Sequence, residues 1–289
     1  MPTQNDATLS WTVAVGVVRQ DAILIPIAGL QAGRWHPLVK EFDENGTFSI
    51  GLTVGDTSLI GREWLSFSLT GGSGTPLAVR ESSRAEALCT RIDGFRTDAP
   101  VQSVAPNRQQ DGITFVALLG AGNVARPESL AAPFDPHSQK AVVAIETLMP
   151  SLELSMIEAD TASAIRGYAP AERAAVGIQI TRLVRHRRDE AARYYFEAVK
   201  RYPSQKIVFA HGWLVELHGQ LLSVSANAEL TDDDRKGVTS AAVLGVIELP
   251  GRTIWVLHEG SYESRALSLM EFGAGTTGRI VARIPNGAC

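Results

Sequence analysis

Residues 207–226, IVFAHGWLVELHGQLLSVSA, read as two apolar arms around a tight reversal. Ile207–Leu217 and Leu221–Ala226 are rich in the β-branched and apolar residues that suit a pleated, half-buried surface. Between them, His218–Gly219 supplies a glycine, which accepts the positive φ of short hairpins. A second pair follows, with Ala241–Glu248 and Thr253–Glu259 flanking Pro250–Gly251. Proline fixes φ at one central turn position and glycine tolerates positive φ at the next. Ala266–Phe272 extends the series. A run of strands joined by short turns predicts a β-meander.

Working outward, Trp11–Val18 and Ala22–Ile27 form a third hairpin around Arg19–Asp21. Its arm at Gly16 and the arm at Gly212 share a pattern: glycine, apolar arm, turn, apolar arm. Trp35–Lys40 and Thr47–Val54 are strands separated by Glu44, Asn45 and Gly46, a strong reversal signal. Trp64–Leu69, Ala87–Phe95 and Ile113–Leu119 are further strands, and TGGSGTP (Thr70–Pro76) is a glycine-rich loop. Ala121–Pro136 holds Pro127, Pro133 and Pro136 and reads as a connection. Ser138–Met149 has helical composition and is expected to stop at Pro150. Ala169–Ala175 is a short helix opened by Pro170. Residues 189–202, DEAARYYFEAVKRY, have helical composition, yet Ala192, Tyr194, Phe196 and Ala198 alternate onto one face. Their β-like neighbours favour a strand.

The expected fold is mainly β (α+β). Antiparallel hairpins and a meander form sandwich- or barrel-like sheets, with few short helices. Three parts are expected: an N-terminal β-rich half (1–120), a proline-containing connection with short helices (121–176), and a C-terminal β-meander half (177–289) packed on the first.

Length and composition agree with a folded chain. Of 289 residues, 45% are apolar and 20% charged, enough to bury a sizeable core. The net charge is −4, so no global field draws the chain to nucleic acid or anionic membranes. The two cysteines, Cys89 and Cys289, make neither a disulfide framework nor a four-thiolate zinc site. MPTQNDATLS (Met1–Ser10) lacks the basic and apolar regions of a signal peptide, and no apolar run spans a membrane. A cytoplasmic protein is the default expectation.

Several stretches invite chemistry. ITFVALLGAGNVA (Ile113–Ala125) runs an apolar strand into Gly120-x-Gly122-x-x-Ala125, the pattern that seats a pyrophosphate. Pro127 and Pro133 interrupt the helix this requires, so no cofactor is expected. ELTDDDRKG (Glu229–Gly237) begins like a calcium loop, but Lys236 and Val243 stand where oxygen ligands are needed. The better reading is a helical turn capped by Thr231. The six histidines show no metal-ligand spacing, so no metal site is expected. HEGSYES (His258–Ser264) is the densest reactive run: His258, beside Glu259 and Glu263, is the candidate general base of a hydrolase. Residues 182–206 carry eight basic and three acidic side chains, a local net of +5 against −9 for the remainder. Arg182, Arg185, Arg187, Arg188 and Tyr194 are its candidate ligand-binding residues, because arginines interleaved with rings hold anions and stack on bases.

GRWHPLV (Gly33–Val39), YYFEAVKRYP (Tyr194–Pro203) and WVLHEGSYES (Trp255–Ser264) together resemble a group of bacterial proteins of similar length. These carry an early GRW segment and a late tryptophan strand followed by a G-x-Y-E or S-Y-E turn. The resemblance implies a strand at Tyr194–Tyr202 and no site.

The reading that emerges is a non-catalytic β-rich binding or structural protein whose partner is a small molecule or a protein, not a membrane. The alternatives are a hydrolase with its site near His258–Glu263, and, less favoured, an anionic-ligand or nucleic-acid binder using residues 182–206.

Overall fold

The computed structural model describes residues 11–43, 50–54, 57–87, 90–100, 112–160, 163–232, 238–261, 264–273 and 277–288. The first strands are β1 (Val13–Arg19), β2 (Ile23–Gln31), β3 (Arg34–Pro37), β4 (Val39–Asp43), β5 (Ile50–Val54), β6 (Glu63–Ser68), β7 (Thr75–Ala87), β8 (Thr90–Thr97) and β9 (Ile113–Gly120). Two short strands, β10 (Asn123–Ala125) and β11 (Glu128–Ser129), lead to α1 (Pro136–Ala159) and α2 (Pro170–Ala175). Then come β12 (Ile178–Arg188), β13 (Ala191–Arg201), β14 (Ile207–Leu217), β15 (Gln220–Thr231), β16 (Ser240–Leu249), β17 (Arg252–Gly260), β18 (Ser264–Phe272) and β19 (Gly278–Ala288). The chain is mainly β with antiparallel sheets, as expected. Residues 189–202, ambiguous by propensity, are strand β13 and its entry.

The chain forms two compact units. One holds Met1–Arg126, Ala241–Glu271 and Arg279–Cys289, and the other Pro127–Ser240 and Phe272–Gly278.

In the first unit, β2-β1-β9-β6-β7-β8 close into a six-stranded barrel, because β8 returns to β2 through Ile23↔Arg96 and Leu24↔Phe95. Every barrel strand contributes to one interior cluster: Ala14, Val18, Leu24, Trp64, Leu77, Val79, Phe95, Ala117 and Leu119. The alternate residues point the other way. Val13, Val15, Val17, Ile25, Ile27, Val116 and Leu118 pack against Leu244, Ile247, Ile254, Val256, Leu267 and Leu269. Those belong to a second sheet, ordered β10-β16-β17-β18-β19. Burying each such aliphatic side chain contributes ~1.5–3 kcal/mol.

In the second unit, β11-β12-β13-β14-β15 form a five-stranded sheet. Helix α1 lies on one face: Ala141, Val142, Ile145, Met149 and Ile157 recur at helical spacing and meet Leu183, Tyr194, Phe196, Ala198 and Val208. The other face carries Tyr195 and Trp213, whose rings lie 5.1 Å apart, and Phe272, 5.3 Å from Trp213. The Arg193 guanidinium sits 5.6 Å from the Phe272 ring and donates to the Gly273 carbonyl at 3.2 Å, and burial lowers its pKa.

Four expectations are corrected. The meander does not run on: β12–β15 and β16–β19 are separate four-strand runs in different sheets and units. Residues 177–289 are therefore not one half, because the apolar face of β16–β18 is spent on the barrel. Helix α1 is 24 residues long and passes through Pro150. A mid-helix proline costs ~3 kcal/mol, but burial of Met149 and Ile157 on the same stripe outweighs it. The connection after Gly120 is partly strand: Asn123–Ala125 pair with Val246–Glu248, and Glu128–Ser129 with Val184–Arg185. Gly120-x-Gly122 thus enters a strand rather than a helix. Gly120 has φ +96, and a Cβ there would lie 2.3 Å from the Thr12 carbonyl oxygen.

The turn residues behave as read. His218 and Gly219 both have positive φ (51° and 77°), as two-residue hairpins require. Gly16 and Gly212 share a local cause: each adjoins a β-bulge, and a Cβ would come within 2.7 Å of Ile25 O and 2.5 Å of Ser225 O. The reversal at Glu44–Gly46 and the helical turn after Thr231 lie outside the described residues.

Candidate binding groove

Helix α1 is fixed at its N-terminus by a polar frame. Asp135 is the N-cap, accepting from the His137 and Ser138 backbone N–H groups at 2.9 and 2.8 Å and from Ser138 Oγ at 2.9 Å. Pro136 follows at the first helical position, where a missing N–H costs nothing. Led by the Ser138 N–H bond, these donors and Arg185 lower the Asp135 carboxyl to about 2. Arg185, on β12, reaches Asp135 at 3.3 Å and Glu128 of β11 at 2.8 Å. Burial acts to lower the Arg185 pKa, but hydrogen bonding to Glu128 and the two carboxylate charges prevail and raise it. Opposite Arg185 stands Tyr194, whose hydroxyl donates to Glu216 Oε2 at 3.2 Å. Burial, then Glu216, raises the Tyr194 pKa. Lys140 of α1 closes on Glu216 at 3.7 Å.

The other end of α1 is held by a buried ionic cluster. Glu153 lies on the apolar stripe and is 2% exposed. It accepts from Lys200 Nζ at 2.5 Å and from the Tyr202 hydroxyl. Lys200 also donates to the Arg173 carbonyl at 2.7 Å, tying down α2. Burial, then the Glu153 bond, raises the Tyr202 pKa. Tyr168 packs on Tyr202 with ring centroids 5.0 Å apart.

Between these two frames lies a groove of about 390 Å³. Leu130, Ala131, Ala132 and Phe134 form one wall, Val142 and Glu146 of α1 a second, and Ile178 and Ile180–Leu183 of β12 the third. Its lining mixes apolar side chains with polar groups, and Glu146 is exposed in one wall. Arg182 contributes mainly its stem, since its guanidinium meets Glu197 at 3.3 Å. A second recess of about 540 Å³ lies beside Ser82, Ser83, Arg84, Asp93 and Gly94 and is polar. Among the described residues, no three His, Cys, Asp or Glu side chains are placed to hold a metal ion.

The structure distributes the sequence-derived candidates widely. His258 is 2% exposed, on β17. Strand alternation sends it to the side of Ile254 and Val256 and sends Glu259 to the other, where Arg283 meets it at 2.8 Å. The two do not converge, and Glu263 lies outside the described residues. Arg185 and Arg187 point to the helix side of β12, with Leu183, while Arg182 and Arg188 point away. Arg185 and Tyr194 come together, Arg187 is exposed, and Arg188 lies 3.8 Å from Asp189. The early GRW segment meets the late strands through Glu271 of β18, which accepts from Trp35 Nε1 at 3.2 Å, Arg252 at 3.1 Å and Arg279 at 2.7 Å. Burial acts against the Glu271 charge, but these donors lower its pKa overall.

Sequence reasoning missed the groove residues Leu130, Phe134, Val142 and Glu146. The usable signal was an apolar stripe continuing past Pro150, which makes α1 long enough to wall a groove.

No protein-family model matches the chain, and neither a curated protein nor a solved structure matches it. Among the described residues, no helix is long and apolar enough to cross a membrane.

Proposed function

We propose that this is a non-catalytic binding protein whose ligand lodges in the groove between α1 and β12. The observation that carries the reading is the groove itself. Its volume of about 390 Å³ is within the range of ligand sites, and its lining joins apolar side chains such as Phe134, Val142, Ile178 and Ile180 to polar groups that include the exposed carboxylate Glu146. The walls are pinned at both ends, by Arg185–Asp135 and Lys200–Glu153, so the cavity is held open before a ligand arrives.

Saturation-transfer NMR tests this, with one panel of small aliphatic and aromatic molecules and one of mixed octapeptides. Binding from at least one panel is expected. It should weaken at least tenfold in Ala131→Trp, where an exposed rim residue is enlarged to fill the groove. Silence from both panels, or equal binding by the variant, overturns the reading.

A further inference from the structure

We infer that the occupant of the groove is an extended polypeptide segment that adds as a strand to the outer edge of β12; this rests on the groove being a binding site. The chain itself begins that addition. Glu128 and Ser129 pair antiparallel with Arg185 and Val184, and the Leu130 N–H donates to the Leu183 carbonyl at 2.8 Å. There the covering stops, as Ala131–Phe134 lead away to the N-cap of α1. Strand β12 continues through Ile178–Arg182, and among the described residues no strand pairs with the outer side of this stretch.

An open strand edge presents a row of backbone donors and acceptors. The ligand that matches such a row is another extended backbone. The same residues, Ile178 and Ile180–Arg182, line the groove, so the open edge and the cavity coincide. A strand continuing the line of β11 turns alternate side chains toward Val142, Ile178 and Ile180 and the rest toward solvent. The segment is therefore apolar at alternate positions. Its length is set by the free edge, about five residues or roughly 17 Å. Glu146 adds the one charge preference: a lysine or arginine on the groove side. Arg182 adds none, because Glu197 neutralises it.

The test is selection of phage-displayed random octapeptides on the full chain, followed by resynthesis of those enriched. Alternating apolar residues with one basic residue are expected. N-methylation of alternate backbone amides should weaken binding at least tenfold. Glu146→Lys, an exposed change that leaves the fold intact, should move the charged preference from basic to acidic. Arg187→Ala, exposed and outside the groove, should change nothing. Enriched peptides that bind equally well when N-methylated overturn strand addition. If small molecules bind and no peptide does, the groove remains a ligand site and the polypeptide inference falls. If neither binds, both fall.

Discussion

The sheet β10-β16-β17-β18-β19 and the sheet β11-β12-β13-β14-β15 have the same composition: four strands consecutive in sequence plus one short strand from Asn123–Ser129. They differ in what covers them. The first packs on the barrel mostly with aliphatic side chains, such as Leu244, Val256, Leu267 and Leu269, with His258 and Glu271 as buried polar residues on the same strands. The second is covered by a single helix, and its inner face carries Arg185, Tyr194 and Lys200 besides the aliphatics. A sheet on a sheet presents side chains over its whole area, and apolar interdigitation suffices. One helix covers only a stripe. Its ends lie near the sheet margins, where Asp135 and Glu153 meet Arg185 and Lys200 and fix its position. The groove is what the helix leaves uncovered.

That contrast can be broken at its strongest point by Lys200→Met. The change strands the buried Glu153 carboxylate and should cost ~3–5 kcal/mol in urea unfolding, while the double variant with Glu153→Leu recovers most of it. No recovery in the double variant would remove the ionic account of helix placement. In the aliphatic sheet, Leu267→Ala should cost ~2–5 kcal/mol through cavity formation, with no second-site charge change able to restore it. A smaller gain is expected from Pro150→Ala, which returns an N–H to the exposed side of α1 and should stabilise by ~1–3 kcal/mol if packing alone carries the helix past the proline. A lower urea midpoint would show that the helix relies on the bend.

The smallest effect is a pH signature. The Asp135 carboxyl is lowered from 3.8 to about 2, so its contribution is complete above the unfolded value near 3.8 and disappears as pH falls through 2. Asn is an equally good N-cap without the titration. Asp135→Asn should therefore lose less stability than the parent chain between pH 4 and pH 2, read by urea midpoints at each pH. Parallel curves would show that Asp135 contributes nothing through its charge.

Much of the strand content was legible because its signals are local. His218–Gly219 and Pro250–Gly251 dictate reversals through their own φ angles, whatever surrounds them. The strand at Ala191–Arg201 was readable from alternation, although its composition favours helix. Closure of the barrel through Leu24↔Phe95 was not legible, since it joins residues far apart in sequence and leaves no local mark. The division between β15 and β16 was hidden likewise: nothing in either strand says which sheet it joins. For the groove, Glu153 was a missed clue. An acid on the stripe of Met149 and Ile157 needs a buried partner, and Lys200, alternating with Ala198 and Phe196, is the matching cation.

The division of the first unit along the chain has a consequence for its synthesis. The six barrel strands are complete once Gly120 has been made, but β16–β19 follow only from Ser240 to Ala288. At roughly 5–20 residues per second, the outward side chains Val13, Val15, Val17, Ile25 and Ile27 wait on the order of ten to thirty seconds for their sheet. For that interval the nascent barrel carries an apolar side bare to the cell, and yield depends on what shields that side while the ribosome finishes.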